Sequence, residues 1–427
     1  MHAVAQRLSF GIVAASCLVQ ATFAQTVLTW QQAKDQFEAG NPTLRAAQIG
    51  VQEAKAQEIT AYLRPNPDFT ATLDQINPFS TQPPPNGNGG NSYRPFAFAL
   101  PLWSANYLHE RQHKRELRRE SAQKATGIAE SQQSDLERNL LFNLRSAFVQ
   151  TLQAKALLAN AKENLDYYDR ALSINRDRFR AGDISQLDLN RLTLQRVQYE
   201  SDLATAQVNL RTAKIALLTL LNDRTPVDQL DVTGPFDFSD QIMPLEEFHL
   251  LAQEARPDLK AAVQAIDKAQ TDHKLALANG STDPVFGVDF ARNPPIPVYM
   301  GFSVTVPLRI FDRNQGEKAR TQIDVGHAER MRDATQAQIF SDVDSAYYTL
   351  LSALSLLKPY KDTYLPTATA VRDTMSFSYQ RGQAALVDYL DAQRDYRVTQ
   401  VAYINLVASY LTSAAQLNLA VGREVIQ

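Results

Sequence analysis

The sequence predicts a mainly α-helical protein with a small membrane β part, built from one unit used twice: helix, two strands, very long helix, return helix. Three observations predict it. First, YQRGQAALVDYLD at residues 379–391 sets Gly382 between two long helical patterns, and FRAGDISQLDL at residues 179–189 repeats the arrangement around Gly182, with Asp188 matching Asp388. Second, no proline interrupts residues 104–180, roughly 75 residues that as helix would exceed ~100 Å. Third, each half carries two segments of about ten residues with partial apolar–polar alternation, the length of a membrane β-strand.

The 427 residues carry a formal net charge of −3, with 44% hydrophobic and 21% charged residues. That balance is ordinary for a folded chain, and without a basic patch interleaved with aromatics it argues against nucleic acid as a partner. Residues 1–24 read as a secretory signal peptide: Arg7 supplies the charge, residues 8–19 the apolar region, and Thr22-Phe23-Ala24 the cleavage site. The single cysteine, Cys17, lies inside it. Acylation of Cys17 is an alternative, disfavoured by Ala14 upstream and a short apolar region. No later apolar run approaches the ~20 residues of a membrane helix, so any bilayer crossing falls to strands.

The first repeat occupies residues 25–222. A helix over 28–39 with Thr29 as cap is broken at Gly40-Asn41-Pro42, and a second helix over 43–63 ends at Arg64-Pro65-Asn66-Pro67. Strands are expected at about 68–77 and 92–102 around a polar loop, residues 78–90. The long helix ends at a hairpin tip, residues 179–188, where Gly182 takes the left-handed conformation and Ser185 starts the return helix. On that helix Leu187, Leu194, Val208 and Ile215 share one heptad position and Val197, Ala204 and Leu218 another, which predicts a coiled-coil seam. Residues 223–243 form a polar linker with one strand near 231–238.

The second repeat, residues 244–427, restarts the programme: Pro257, Leu259 and Ala261-Ala262 answer Pro42, Leu44 and Ala46-Ala47, all 215 residues on. Strands are expected at about 285–292 and 298–306, and Pro307-Leu308 answers Pro101-Leu102. A helix over 315–381, interrupted at Pro359 and Pro366, leads to the second tip at 379–391. On the last helix, residues 384–421, Tyr389, Tyr396, Tyr403 and Tyr410 recur every seven residues, a packing stripe that imposes left-handed supercoiling.

Four strands cannot close a barrel, and lipid does not tolerate open sheet edges. Two chains would give eight strands with a filled interior; three give twelve, wide enough for a water-filled lumen. A trimer is the smallest assembly that makes a pore.

The strings LTWQQAKDQFEAGNPTL, AGDISQLDL and RGQAALVDYLDAQ, with the paired Pro-Leu strand ends and in duplicated order, resemble the TolC-like family of trimeric outer-membrane efflux channels over essentially the whole mature chain. VPLRIFDRNQGEKA, residues 306–319, is similar to the branch that serves heavy-metal cation efflux pumps. The resemblance implies a homotrimer with a 12-stranded barrel in outer-membrane lipid, an α-helical barrel across the periplasm, and no cofactor. It implies tips that meet a periplasmic adaptor (membrane fusion) protein joined to an inner-membrane pump of RND or other type. It places Asp388 and Asp391 at the periplasmic constriction, and Tyr379 and Asp188 among the contacts that close it. Gly182, Asp183, Leu187, Gly382, Gln383 and Leu386 become adaptor-contacting tip residues. Well-known members carry an arginine two residues after the second tip glycine; here it is Ala384, which implies fewer charged closing contacts.

Asp388 and Asp391 also suit a solvated helix start, where acids are favoured by the dipole. In a trimer they would form a ring of six carboxylates, whose repulsion raises some pKa values and whose charge favours cations. His109 and His113 stand one helical turn apart, a metal-compatible spacing, without a third ligand nearby in sequence. No nucleophile elbow, P-loop, cysteine pair or acid/base constellation suggests an enzyme. The reading is an outer-membrane channel of a tripartite efflux system, a passive exit duct for small molecules or metal cations. A duct of an ABC-driven protein secretion system and a non-channel periplasmic coiled-coil protein are the alternatives.

Overall fold

The computed structural model describes residues 26–83, 87–293 and 296–426. The expected signal peptide and Cys17 lie outside these. Strand β1 (Thr26–Leu28) leads to α1 (Trp30–Gly40), whose cap Thr29 accepts from Gln32 N while the Gln32 side chain accepts from Thr29 N at 2.9 Å. This reciprocal box satisfies two otherwise orphaned amides. Asn41 closes α1 and caps α2 (Pro42–Tyr62), accepting from Leu44 N at 3.0 Å. Strand β2 (Asp68–Asp74) follows.

The second strand of the first repeat is not at 92–102. Before residue 100 only Ser92–Tyr93 is extended there, as β4 paired with β3 (Thr81–Gln82), and residues 94–99 fold into successive turns. Pro95, with fixed φ and no N–H, suits a turn better than a ladder. The strand is β5 (Leu100–Leu108), held in place by β2 on one side and a strand of the second repeat on the other. The long helix α3 (Lys114–Ala181) therefore starts ten residues later than expected near 104, and still runs about 100 Å. The return helix is α4 (Gln186–Leu221).

Strand β6 (Leu230–Val232) pairs with β1 in parallel. In the second repeat α5 (Leu245–Ala255) and α6 (Pro257–Asn279) meet at Arg256, as α1 and α2 meet at Asn41. The two joints make equivalent bonds. Asn41 Nδ2 donates to Leu220 O at 3.0 Å and Arg256 Nη1 to Ala420 O at 3.1 Å, each tying its joint to the last turn of a return helix. Strands β7 (Val285–Asn293) and β8 (Ile296–Thr305) precede α7 (Gln315–Pro359), a π-helical turn (Tyr360–Tyr364), α8 (Leu365–Gln380) and α9 (Leu386–Val421). The Pro-Leu pairs do not occupy matching places: Pro101 lies at the start of β5, whereas Pro307 comes after the end of β8.

Strands β2, β5, β7 and β8 form one antiparallel sheet in that order, the two repeats meeting at β5–β7. Residues directly opposite across a ladder share a face. The rows Ala71–Trp103–Phe290–Met300 and Phe69–Ala105–Val288–Phe302 make one face apolar, yet Phe69 is 72% and Phe302 76% exposed. Alternate rows, Thr70–Ser104–Asp289–Gly301 and Asp68–Asn106–Gly287–Ser303, make the other face polar. The outer edges of β2 and β8 have no partner among the described residues.

Two cores lie midway along the helices. One gathers α1, α3, α4 and β6 around Phe37, Phe148 and Leu217; the other gathers α5, α7 and α9 around Phe248, Leu350 and Leu417. Phe236, from the linker, packs against both.

Candidate functional site: the paired hairpin tips

Both tips end their helices as the glycines require. Gly182 has φ 87° and Gly382 φ 75°, the left-handed region that only glycine enters without strain. Asp183 N donates to Arg178 O at 2.9 Å and Gln383 N to Ser378 O at 2.9 Å, so the two closures are alike. The helix starts differ. Ser185 caps α4 by accepting from Asp188 N at 3.1 Å, and its hydroxyl donates to the Asp188 carboxylate at 2.8 Å; Ala385 offers α9 no side-chain cap.

Behind the glycines a third core fastens the hairpins together: Tyr168, Leu172, Leu192, Tyr199, Tyr379, Leu386 and Tyr389. Tyr379 stacks on Tyr389 at 4.9 Å and Tyr168 on Tyr199 at 4.4 Å. Tyr379 OH donates to Asn175 Oδ1 at 3.1 Å, and Tyr168 OH to Leu192 O at 2.9 Å. Burial pushes the Tyr168, Tyr379 and Tyr389 phenols above their ordinary range, so they remain protonated. Arg178 crosses from the first hairpin to the second: Nη1 donates to Tyr379 O at 3.3 Å and the guanidinium lies 5.2 Å from the Tyr379 ring centre.

A groove of about 620 Å³ runs between the tips, lined by Arg178, Asp183, Asp188, Arg191 and Tyr379 among others. Tyr379 and Asp188 thus face one groove, but Asp188 bonds within its own tip, not to Tyr379. Asp388 and Asp391 are exposed on the side of α9 away from buried Leu386, Tyr389 and Ala392, and neither forms an ion pair among the described residues. Gly182, Asp183, Leu187, Gly382 and Gln383 are exposed at the end of the molecule. Leu386 is not: it is 8% exposed and packs in the tyrosine core.

Sequence reasoning missed Asn175, Arg178, Tyr168 and Tyr199. A signal for Tyr199 was present, since Leu192, Tyr199 and Ala206 recur every seven residues and form the buried stripe of α4. The seam expected at Leu187, Leu194, Val208 and Ile215 instead points outward, at 52–72% exposure. Both stripes have the same period, and only packing shows which one faces α3.

A long two-hairpin body with a two-faced open sheet at one end and glycine tips at the other is what the comparisons with known proteins match. The profile of the family described as outer membrane efflux protein matches residues 33–223 and 297–423. The chain belongs to that family. It is the outer-membrane channel component of a tripartite efflux system, and the family consists of channels, not enzymes. It is 24% identical to the cobalt-zinc-cadmium resistance protein CzcC of Cupriavidus metallidurans, over 73% of this chain and 74% of that one. It is 23% identical to the outer membrane protein TolC of Escherichia coli over 92% and 81% of the two chains. The solved structure of CusC superposes with a TM-score of 0.75 at 19% identity, covering 92% of each chain, which shows the fold. No helix among the described residues is long and apolar enough to cross a membrane.

Proposed function

We propose that this chain is one third of a passive, trimeric exit duct for divalent metal cations. Twelve strands from three copies close a barrel in the outer membrane, and the long helices extend through the periplasm to tips that an adaptor engages. The observation that carries this reading is the two-faced sheet with both edges open: alone it leaves Phe69, Phe302 and the edge amides unsatisfied, and only closure with further copies removes the edges. The outward stripe Leu187–Leu194–Val208–Ile215 supports the same assembly, because a neighbouring copy's helix would cover it.

Likeness to CzcC, named for cobalt, zinc and cadmium resistance, supports a metal cargo, as does the exposed pair Asp388 and Asp391 near the tip. Opening is a population shift between closed and open tip packing, biased by an adaptor that binds the open form better. Single-channel recording in a planar bilayer tests the duct, with discrete, mostly closed, cation-selective openings expected. Asp388→Asn with Asp391→Asn lowers the preference for cations while the trimer stays folded; an unchanged preference removes both residues from the constriction. A deletion strain that loses tolerance to cobalt, zinc or cadmium, and keeps protein secretion, separates this cargo from a secretion duct.

A further inference from the structure

Residues 306–313, VPLRIFDR, follow β8 and have no part in the duct described so far. They continue the apolar face of that strand. Met300, Phe302 and Val304 lie on it, and Val306 and Leu308 keep the alternation past Thr305, the last paired residue, before a tight turn in which Ile310 N donates to Leu308 O at 3.0 Å. Leu308 is 79%, Ile310 61% and Phe311 90% exposed. Side chains of this size, contiguous with an exposed apolar sheet face, mark a surface that something covers. Arg309 and Arg313 are interleaved with them, and neither guanidinium has a hydrogen-bond or ion-pair partner among the described residues.

The segment's level in the molecule is fixed. Asn314 Nδ2 donates to Ala276 O at 2.8 Å, and Arg111 N donates to Asp283 Oδ1 at 2.9 Å, which brings the end of the segment, the C-terminus of α6 and exposed Arg111 together where strands give way to long helices. Apolar side chains interleaved with unpaired arginines at the rim of a membrane sheet match the layer where acyl chains meet phosphate headgroups.

We propose that residues 306–313 are an interfacial anchor: Leu308, Ile310 and Phe311 rest against acyl chains of the periplasmic-side leaflet, and Arg309 and Arg313 bind anionic phospholipid headgroups. This rests on the reading that the sheet lies in the membrane. Continuity with the lipid-facing rows selects lipid as the cover, and a neighbouring copy of the chain is the competing occupant.

The full chain, reconstituted as the trimer in phosphatidylcholine vesicles with or without phosphatidylglycerol, carries a fluorescent label on one introduced cysteine: Phe302→Cys, Phe311→Cys, or Met331→Cys as the water-facing control. Nitroxide-bearing lipids should quench the labels at 302 and 311 and leave that at 331 untouched. Quenching at 302 but not 311 overturns the anchor and leaves the barrel standing; a 311 label shielded from both lipid and aqueous quenchers gives the surface to a neighbouring copy. Quenching at neither 302 nor 311 removes the membrane sheet itself. The charge arm uses Arg309→Gln with Arg313→Gln. Retention of phosphatidylglycerol over phosphatidylcholine, read by native mass spectrometry, should fall about fivefold per arginine. An unchanged ratio overturns the headgroup assignment.

Discussion

Arg178 joins the two hairpins through the Tyr379 carbonyl and ring, in a tip that lacks an arginine at position 384. Under the gating proposed above, a charge-assisted bond of this kind favours the closed packing by about 1 kcal/mol per chain, so Arg178→Ala should raise the open fraction roughly fivefold for each copy released. Arg178→Lys keeps the charge without the planar fork and should fall between the two. Opening frequency in a planar bilayer reads the difference, and no change in either variant would acquit Arg178 of holding the tip. Arg256 is a structural counterpart at the α5–α6 joint, beside the mid-helix core. It is 5% exposed and pairs with Asp258 at 2.6 Å and Asp342 at 2.9 Å while bonding Ala420 O. Arg256→Ala strands two carboxylates and should cost about 3 kcal/mol in thermal unfolding. Burial alone would raise the Asp258 carboxyl, but the Arg256 hydrogen bonds outweigh it and hold the folded-state value below the ordinary range. A depressed folded value contributes stability above the unfolded carboxylate pKa, and loses it as pH falls through about 4 and below. The deficit of Arg256→Ala relative to the native chain should therefore shrink in acid; a gap independent of pH would exclude this origin.

At the scale of elements, the second long helix needs its π-helical turn. Pro366 has no N–H to continue the α ladder, and the chain widens so that Leu365 N donates to Tyr360 O, five residues back. The turn also sets the phase. At about 100° per residue, the nineteen residues from buried Leu357 to buried Ser376 would overshoot five turns by about 100°, and one extra residue in a wide turn absorbs that. The buried stripe of α7 thus continues into Ser376 and Tyr379 on α8, where Gln393 Nε2 meets Ser376 Oγ at 3.1 Å. Inserting one alanine after exposed Asp362 should rotate α8 by about 100°, pull Tyr379 away from Tyr389, and leave the channel open more often while the mid-helix cores hold; deleting Asp362 instead leaves about five whole turns and should keep the phase. Hydrogen exchange that rises at 376–389 and stays unchanged around Leu350 is the expected pattern; uniform exchange would show that the turn carries no phase.

Over the whole molecule, the two sheet faces make opposite demands. Phe302→Arg puts a cation on the apolar face, at a cost of about 2–4 kcal/mol at mid-bilayer, and should empty the outer-membrane fraction of trimer. Asp289→Asn lies on the polar face, with Ser104 and Gly301, and should leave insertion intact while lowering cation conductance. Equal behaviour of the two variants would mean that the faces do not separate lipid from water.

The sequence by itself determined what is local or repeated. The glycine tips, the Thr29 and Ser185 caps, and the breaks at Asn41 and Pro359 depend on residues within a few positions of one another, whose φ/ψ preferences and capping bonds act before any long-range contact forms, and the duplication is these same local patterns met a second time. Tertiary structure decided the rest. Alternating Phe96 and Phe98 looked like a strand, but β5 lies at 100–108 because ladders with β2 and β7 place it there. Two stripes on α4 share a period, and the one facing α3 became core. Leu386 left the tip surface for the tyrosine core, and Arg178 reached a carbonyl 201 residues away. Such pairings join residues far apart in the chain, and their energies come from burial and geometry that no short window of sequence contains.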